Sequence, residues 1–224
     1  MLIGIDASRA NKTLKTGTEW YSYYLIKQLA QIDHQNQYEL YFSDQPSPEL
    51  NNLGPNFHNK ILGWPPRKLW TQIRLSAHLF RHAPDVLFVP AHTIPWIHPK
   101  NTVTTCHDIG FKVRPELYSP QERKYQEWSL RLAIKGAKKI IAVSNFTKKE
   151  LLKNYPQARE SQIEVIYHGY NSEVFKPVEP RTAAETANKY GLTPDNYLIY
   201  IGRLENKKNT LGLIKAFELI NDKN

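Results

Sequence analysis

Two cations five positions apart, Arg203 and Lys208, lie just past an apolar run in the stretch YLIYIGRLENKKN at residues 197–209. The run at 197–201 reads as a strand and Gly202 ends it. Residues 210–220 have helical spacing, with Leu213, Ile214, Phe217 and Ile220 on one face. Cations at a strand end beside a helix N-terminus suit a diphosphate, because the helix dipole and the charged side chains act together on it. Taken alone, the same residues also read as a solvated basic turn.

Other reactive residue types also follow strands. His92 lies behind the apolar run 85–89, and His107-Asp108 stands behind 103–106. In an open parallel sheet, loops at adjacent strand ends face one crevice. No acidic or cysteine cluster with ligand spacing accompanies the histidines, so no metal site is expected. Ser144 follows the run 139–143. Gly17 closes a polar loop, 7–17, just before a helical pattern. A glycine there lets a ligand approach backbone N–H groups, or simply closes the loop. There is no full G-x-G-x-x-G, so a dinucleotide cofactor is not supported.

These residues need a scaffold of strands alternating with helices. Strands are expected at 2–5, 38–42, up to 60–63, 85–89, 103–106, 139–143 and 163–167. Helices are expected at 18–30, 68–81, 119–136, 146–154 and 181–190, with Ser119 as N-cap, Pro120 at the first helical position and Gly191 as C-cap. The alternation implies an α/β, Rossmann-like, doubly wound and mainly parallel sheet. Two prolines in 176–180 mark a linker. Residues 1–176 form a first domain, and 177–224 hold the linker and the start of a second.

The chain has 224 residues and a formal net charge of +9, which favours anionic partners. Its basic residues are dispersed and no nucleic-acid-binding motif is present, so nucleic acid is not expected as a partner. Cys106 is the only cysteine, consistent with a reducing cytoplasm. Residues 1–6 read as a strand and not as a signal peptide. No apolar run approaches the ~20 residues of a membrane span. The basic segment 68–81 carries an apolar stripe, Leu69, Ile73, Ala77 and Phe80, and lies near Trp64 and Trp70. Such a segment either rests on an anionic membrane or packs on the sheet as an ordinary surface helix.

GRLENKKN resembles the G-R-L-x-x-x-K-N signature of the retaining family 4 glycosyltransferases, which have the two-domain GT-B fold. Gly17-Thr18-Glu19-Trp20-Tyr21, Pro90-Ala91-His92, Thr105-Cys106-His107-Asp108, Ala142-Val143-Ser144-Asn145-Phe146 and Val165-Ile166-Tyr167-His168-Gly169-Tyr170 are similar to family segments in the same order. The resemblance implies transfer of a hexose, of mannose or glucose type, from a nucleotide-diphosphate sugar to a glycan or lipid-linked acceptor. It implies polysaccharide or envelope synthesis at the inner face of the membrane. Arg203 and Lys208 would neutralise the leaving diphosphate, and His107 would line the reaction centre. Gly17, His92, Asp108 and Ser144 would contact substrate, and neither metal nor cofactor would be needed. The family's acidic motif, a spaced pair of glutamates, would lie beyond residue 224. The chain is therefore expected to be a fragment, a truncated product or half of a split enzyme with a complementary C-terminal half. The alternative is a non-catalytic subunit that binds acceptor or partner.

Overall fold

Short runs ending in turn residues become strands, and the central ones are largely buried. The computed structural model describes residues 1–221 apart from Pro66, Arg67, His92 and Asp195. Strands β1 (Leu2–Asp6), β2 (Gln37–Phe42), β3 (Phe57–Ile61), β4 (Val86–Val89), β5 (Thr102–Cys106), β6 (Lys139–Ala142) and β7 (Ile163–Val165) form one sheet. Their order is β3-β2-β1-β4-β5-β6-β7, and all six pairings are parallel. This is the expected α/β, Rossmann-like arrangement. The chain folds as two compact units, Met1–His168 and Gly169–Asn224, and the sheet lies wholly in the first.

The period of two along each strand divides the core between the sheet's faces. On one face, Ile26 of α1 (Gly17–Ile32) meets Ile5, Leu40 and Phe42. On the other, Leu75 and Leu79 meet Tyr41, Leu87 and Val89. Gly4 of β1 is required by this second face, because a Cβ there would fall 2.6 Å from the Tyr41 ring and 2.8 Å from Pro84. Beyond β5 the core continues through α4 (Gly110–Val113), α5 (Pro120–Gly136) and α6 (Asn145–Asn154). Ser119 caps α5 as expected, accepting a hydrogen bond from the Glu122 N–H at 3.3 Å.

Two segments in the first unit differ from the sequence reading. The strand expected to end within 60–63 begins earlier, at Phe57, where its polar residues hide the pattern. The helix expected at 68–81 is mostly not one α-helix. Leu69 has φ of 56°, residues Thr71–Leu75 form a π-helical turn, and only Ser76–Arg81 is the α-helix α3. The wider turn, with Leu75 N–H bonded to the Trp70 carbonyl, rotates the segment. Gln72, Leu75, Ser76 and Leu79 are buried, while Leu69, Ile73, Ala77 and Phe80 face outward. Trp70 is buried and donates to the Leu62 carbonyl at 2.7 Å. Trp64 donates to the Lys68 carbonyl and packs beside the same cluster. Both indoles therefore serve the core, and neither is a surface anchor.

In the second unit, α7 (Pro180–Lys189) is followed by Gly191 at φ of 68°, the left-handed residue a helix end favours. Residues 197–201 are not a strand, contrary to expectation. A buried parallel strand needs neighbours on both sides and cover on both faces. No described residue pairs with this run, and Ile201 is 87% exposed. A short 3₁₀ turn (Asn206–Lys208) then leads into α8 (Thr210–Asn221). Among the described residues no helix is long and apolar enough to cross a membrane.

Candidate active site

Parallel strands bring all their carboxyl ends to one edge. The strand order reverses between β1 and β4, so the loops after these two strands part and leave a crevice. Asp6, Ser8 and Arg9 line it from β1, and Pro90, Ala91 and Thr93 from β4; Thr71 and Tyr125 complete it. Thr104 of β5 fixes the β4 loop by donating its hydroxyl to the Ala91 carbonyl. His92 lies in this loop but outside the described residues.

Asp6 ends β1 and is buried. Its carboxylate accepts from the Ser8 N–H at 3.0 Å, the Ser8 hydroxyl at 2.6 Å and the Thr71 hydroxyl at 3.4 Å. Burial nevertheless pushes its pKa above the ordinary carboxylate value. Arg9 is oriented from the helix that starts at Gly17: its Nη1 donates to Glu19 at 3.1 Å. The other Glu19 oxygen accepts from the Thr16 N–H at 3.1 Å and from the Thr16 hydroxyl, closing a capping box. Burial alone would raise the Glu19 carboxyl, but the bonds from Thr16 and Arg9 bring it below its ordinary value.

His107 follows β5 and is half-buried. Its Nε2 lies 2.9 Å from the Pro90 carbonyl, which can only accept, so Nε2 carries the proton. Burial lowers its pKa, and the neighbouring His168 and Arg9 act the same way against the Pro90 bond and Asp108. The ring is therefore neutral near pH 7, with Nδ1 as an acceptor. His168 stacks on it at 5.7 Å between centroids and 19° between planes, and Tyr21 of α1 meets both rings edge-on at 4.9 Å.

The remaining expected residues fall in distinct places. Gly17 begins α1 one turn before Tyr21, and a Cβ there would meet nothing within 4 Å. The space over its backbone is open. Asp108 accepts from the Gly110 N–H at 2.8 Å and so orders the turn after His107. Ser144 is the N-cap of α6, accepting from the Thr147 N–H at 3.0 Å. Arg203 and Lys208 lie in the second unit. There Glu205 pairs with Arg203 at 2.8 Å and with Lys207 at 3.4 Å. Lys208 ends the 3₁₀ turn, and Asn209 follows in the left-handed conformation, at φ of 51°. Among the described residues no group of three or more His, Cys, Asp and Glu could hold a metal ion.

The sequence reading missed Asp6, Arg9 and Tyr125. An acid ending an apolar strand, followed by an arginine in a polar loop, was a usable signal for the first two. Tyr125 sits within a long helix and gave none.

The crevice offers a buried carboxyl and a guanidinium held by Glu19, and the neutral His107 ring contacts the carbonyl of the lining residue Pro90. These groups suit a ligand rich in hydroxyls, which needs both donors and acceptors. The model of Glycosyltransferase Family 4 matches residues 15–174. The O-antigen chain mannosyltransferase B of Escherichia coli is 29% identical over 96% of this chain and 60% of its own length. The alpha-maltose-1-phosphate synthase of Mycobacterium tuberculosis is 26% identical over 40% of this chain and 23% of its own. Among solved structures, Anabaena Alr3699/HepE in complex with UDP-glucose superposes with a TM-score of 0.52 at 16% identity, covering 85% of this chain and 49% of that one. Its complex with UDP and glucose gives 0.53, a likeness of fold. The chain thus spans about 60% of the mannosyltransferase and about half of the Anabaena protein. With its family model matched from residue 15 to residue 174, the chain belongs to Glycosyltransferase Family 4.

Proposed function

We propose that this chain supplies the acceptor-binding half of a retaining glycosyltransferase. The enzyme transfers a hexose, of mannose or glucose type, from a nucleotide-diphosphate sugar to a glycan or lipid-linked acceptor. The observation that carries this reading is the crevice at the reversal of strand order, where Asp6, Arg9 and the β4 loop converge beside neutral His107. The family match and the mannosyltransferase relative support it.

In this reading the acceptor hydroxyl sits in the crevice. Its oxygen forms a bond to the anomeric carbon as the bond from that carbon to the diphosphate breaks, and the hydroxyl proton leaves with the diphosphate. His107 hydrogen-bonds the sugar or acceptor. Arg203 and Lys208 balance the charge on the leaving group, so the chemistry calls on neither metal nor cofactor. Residues 177–224 begin the donor-binding domain. The protein works in the cytoplasm, peripheral to the inner face of the membrane, in polysaccharide or envelope synthesis.

The test is transfer of radiolabelled hexose from UDP-glucose and GDP-mannose to extracted lipid and glycan acceptors. The chain is assayed alone and mixed with the C-terminal half of a family member. Transfer in the mixture with the anomeric configuration kept is expected. No transfer with either donor overturns the reading, and an inverted product overturns retention.

A further inference from the structure

Three exposed aromatic rings form a row that starts in the crevice. Tyr125 of α5 is one of the residues that line it. Trp128 stands almost one turn further along α5, with its ring 5.8 Å from that of Tyr125 and tilted by 41°. Trp96, in the loop after β4, meets Trp128 edge-on at 6.4 Å. Tyr125, Trp128 and Trp96 are 45%, 36% and 52% exposed. Trp64 and Trp70 behave otherwise, since both pack in the core cluster and give their indole N–H groups to backbone carbonyls.

The row has a fixed support. The Thr93 and Ser129 hydroxyls lie 2.8 Å apart, and both residues are buried. Thr93 belongs to the β4 loop that lines the crevice, and Ser129 follows Trp128, so this contact joins loop to helix. The Ile97 N–H donates to the Ser76 hydroxyl at 3.2 Å, which ties the residue after Trp96 to α3. Leu130 and Ala133 anchor α5 in the core. Rings on a backbone already held in place lose little freedom when a ligand covers them.

The surroundings of the rings tell what covers them. On α5, Gln121 lies one turn before Tyr125 and Lys124 one turn before Trp128, and both are exposed. Glu122 and Glu127 stand among Arg123, Lys124 and Arg131, so the surface carries charges of both signs. The core of a protein interface is depleted of such charged residues. Rings set among mixed polar side chains suit a neutral ligand with an apolar face and a polar edge. A hexose is such a ligand: its C–H groups lie against an aromatic ring while its hydroxyls reach polar neighbours and water. Each step of the row is about one hexose long.

We propose that Tyr125, Trp128 and Trp96 form successive sugar-binding subsites, and that the acceptor is an oligosaccharide laying one sugar over each ring. This rests on the proposed function, which makes the crevice the acceptor site, and it selects a glycan chain over a monosaccharide or a lipid phosphate alone. Binding is read with no donor present. Length-dependent binding without transfer therefore counts against the transferase reading alone, and transfer without length-dependent binding counts against the subsites alone.

The experiment titrates the 224-residue chain with α-linked manno-oligosaccharides and malto-oligosaccharides, from the monosaccharide to the pentasaccharide, followed by saturation-transfer NMR. In at least one series the tetrasaccharide should bind at least about tenfold more tightly than the monosaccharide. Trp128→Ala and Trp96→Ala should each shrink that ratio about fivefold, the scale of losing part of one ring's apolar contact. Trp128→Phe should restore much of it. Phe80→Ala, an exposed ring on α3 outside the row, should leave the ratio as it is. Circular dichroism checks that the variants remain folded. Equal affinity for all lengths in both series, no binding in either, or a ratio that the two tryptophan variants leave unchanged overturns the proposal. Phospholipid vesicle binding that both tryptophan variants abolish, with no gain from sugar length, also overturns it and assigns the rings to lipid.

Discussion

The Tyr21 hydroxyl lies 3.1 Å from the Thr105 hydroxyl, although 84 positions separate them in the chain. This contact joins α1, which begins at Gly17, to the strand that presents His107. It also fixes the Tyr21 ring against His107 and His168. Thr105 is fully buried, so losing its partner strands a polar group. Tyr21→Phe should cost about 1–2 kcal/mol in urea unfolding. The double variant with Thr105→Val should cost less than the sum of the single changes, because both polar atoms are then gone. Additive costs would show that the hydroxyls do not depend on one another.

Glu19 should act on the crevice through Arg9. Glu19→Gln keeps the reach needed for the cap at Thr16 but loses the charge that holds the guanidinium. Stability should fall by less than about 1 kcal/mol, as a partly exposed pair implies. In an assay with the C-terminal half supplied, KM for acceptor should rise with kcat nearly unchanged. Glu19→Ala removes the cap as well and should cost about 1–3 kcal/mol. A fall in kcat alone for Glu19→Gln would place Arg9 at the donor side instead.

Much of this arrangement was legible because local pattern and tertiary cover agree. The runs of β1, β4 and β6 are largely apolar, and His107 and Ser144 stand just beyond the ends of β5 and β6. The segment at 68–81 was misread because periodicity cannot report a π-turn. The apolar stripe at Leu69, Ile73 and Phe80 is real, but one extra residue per turn sends it outward. The run at 197–201 was misread for a different reason. Its composition is that of a buried strand, and composition does not supply the neighbours a strand needs. Tyr125 was invisible because its role comes from the helix packing that carries it to the crevice. The engagement of Arg203 by Glu205 depends on loop geometry that spacing does not fix.

Acidification should weaken the fold before the carboxylates titrate. Burial lowers the imidazoles of His78, His107 and His168 below their ordinary value of 6.5. The unfolded chain then binds protons that the folded chain refuses. Stability is full above about pH 6.5 and falls as pH drops from there through the lowered folded values. Glu19 and Glu127 carry lowered carboxyls and act in the same direction, below their ordinary value of 4.5. Asp6 opposes them, because its raised carboxyl favours the folded state at low pH. The urea midpoint should therefore fall between about pH 7.5 and about 5.5. His107→Gln retains a donor for the Pro90 carbonyl and should reduce this fall. A midpoint that stays level in the parent chain would mean the rings are solvated.

The loop at 203–208 gives the most specific expectation, and Glu205 sharpens it. In this chain Glu205 holds Arg203 and Lys207, so a donor diphosphate must draw Arg203 away from a carboxylate. Lys208 stands at the end of the 3₁₀ turn, next to the helix N-terminus at Thr210, where a phosphate is also favoured by backbone N–H groups. A charge-assisted contact to the leaving diphosphate in a sheltered cleft is worth about 2–4 kcal/mol in the transition state, or roughly thirty- to a thousandfold in rate. With the C-terminal half supplied, Arg203→Ala and Lys208→Ala should lower kcat/KM by that amount. Lys207→Ala should lower it at most about tenfold, since its partner is a carboxylate within the loop. Glu205→Gln should tighten donor binding, because Arg203 no longer has to be released. The four variants are compared by kcat/KM and by the dissociation constant for the donor. Equal losses at Lys207 and Lys208, or none at Arg203, would reduce the loop to a solvated basic turn. Weaker donor binding in Glu205→Gln would instead mean that Glu205 holds Arg203 in the geometry the diphosphate needs.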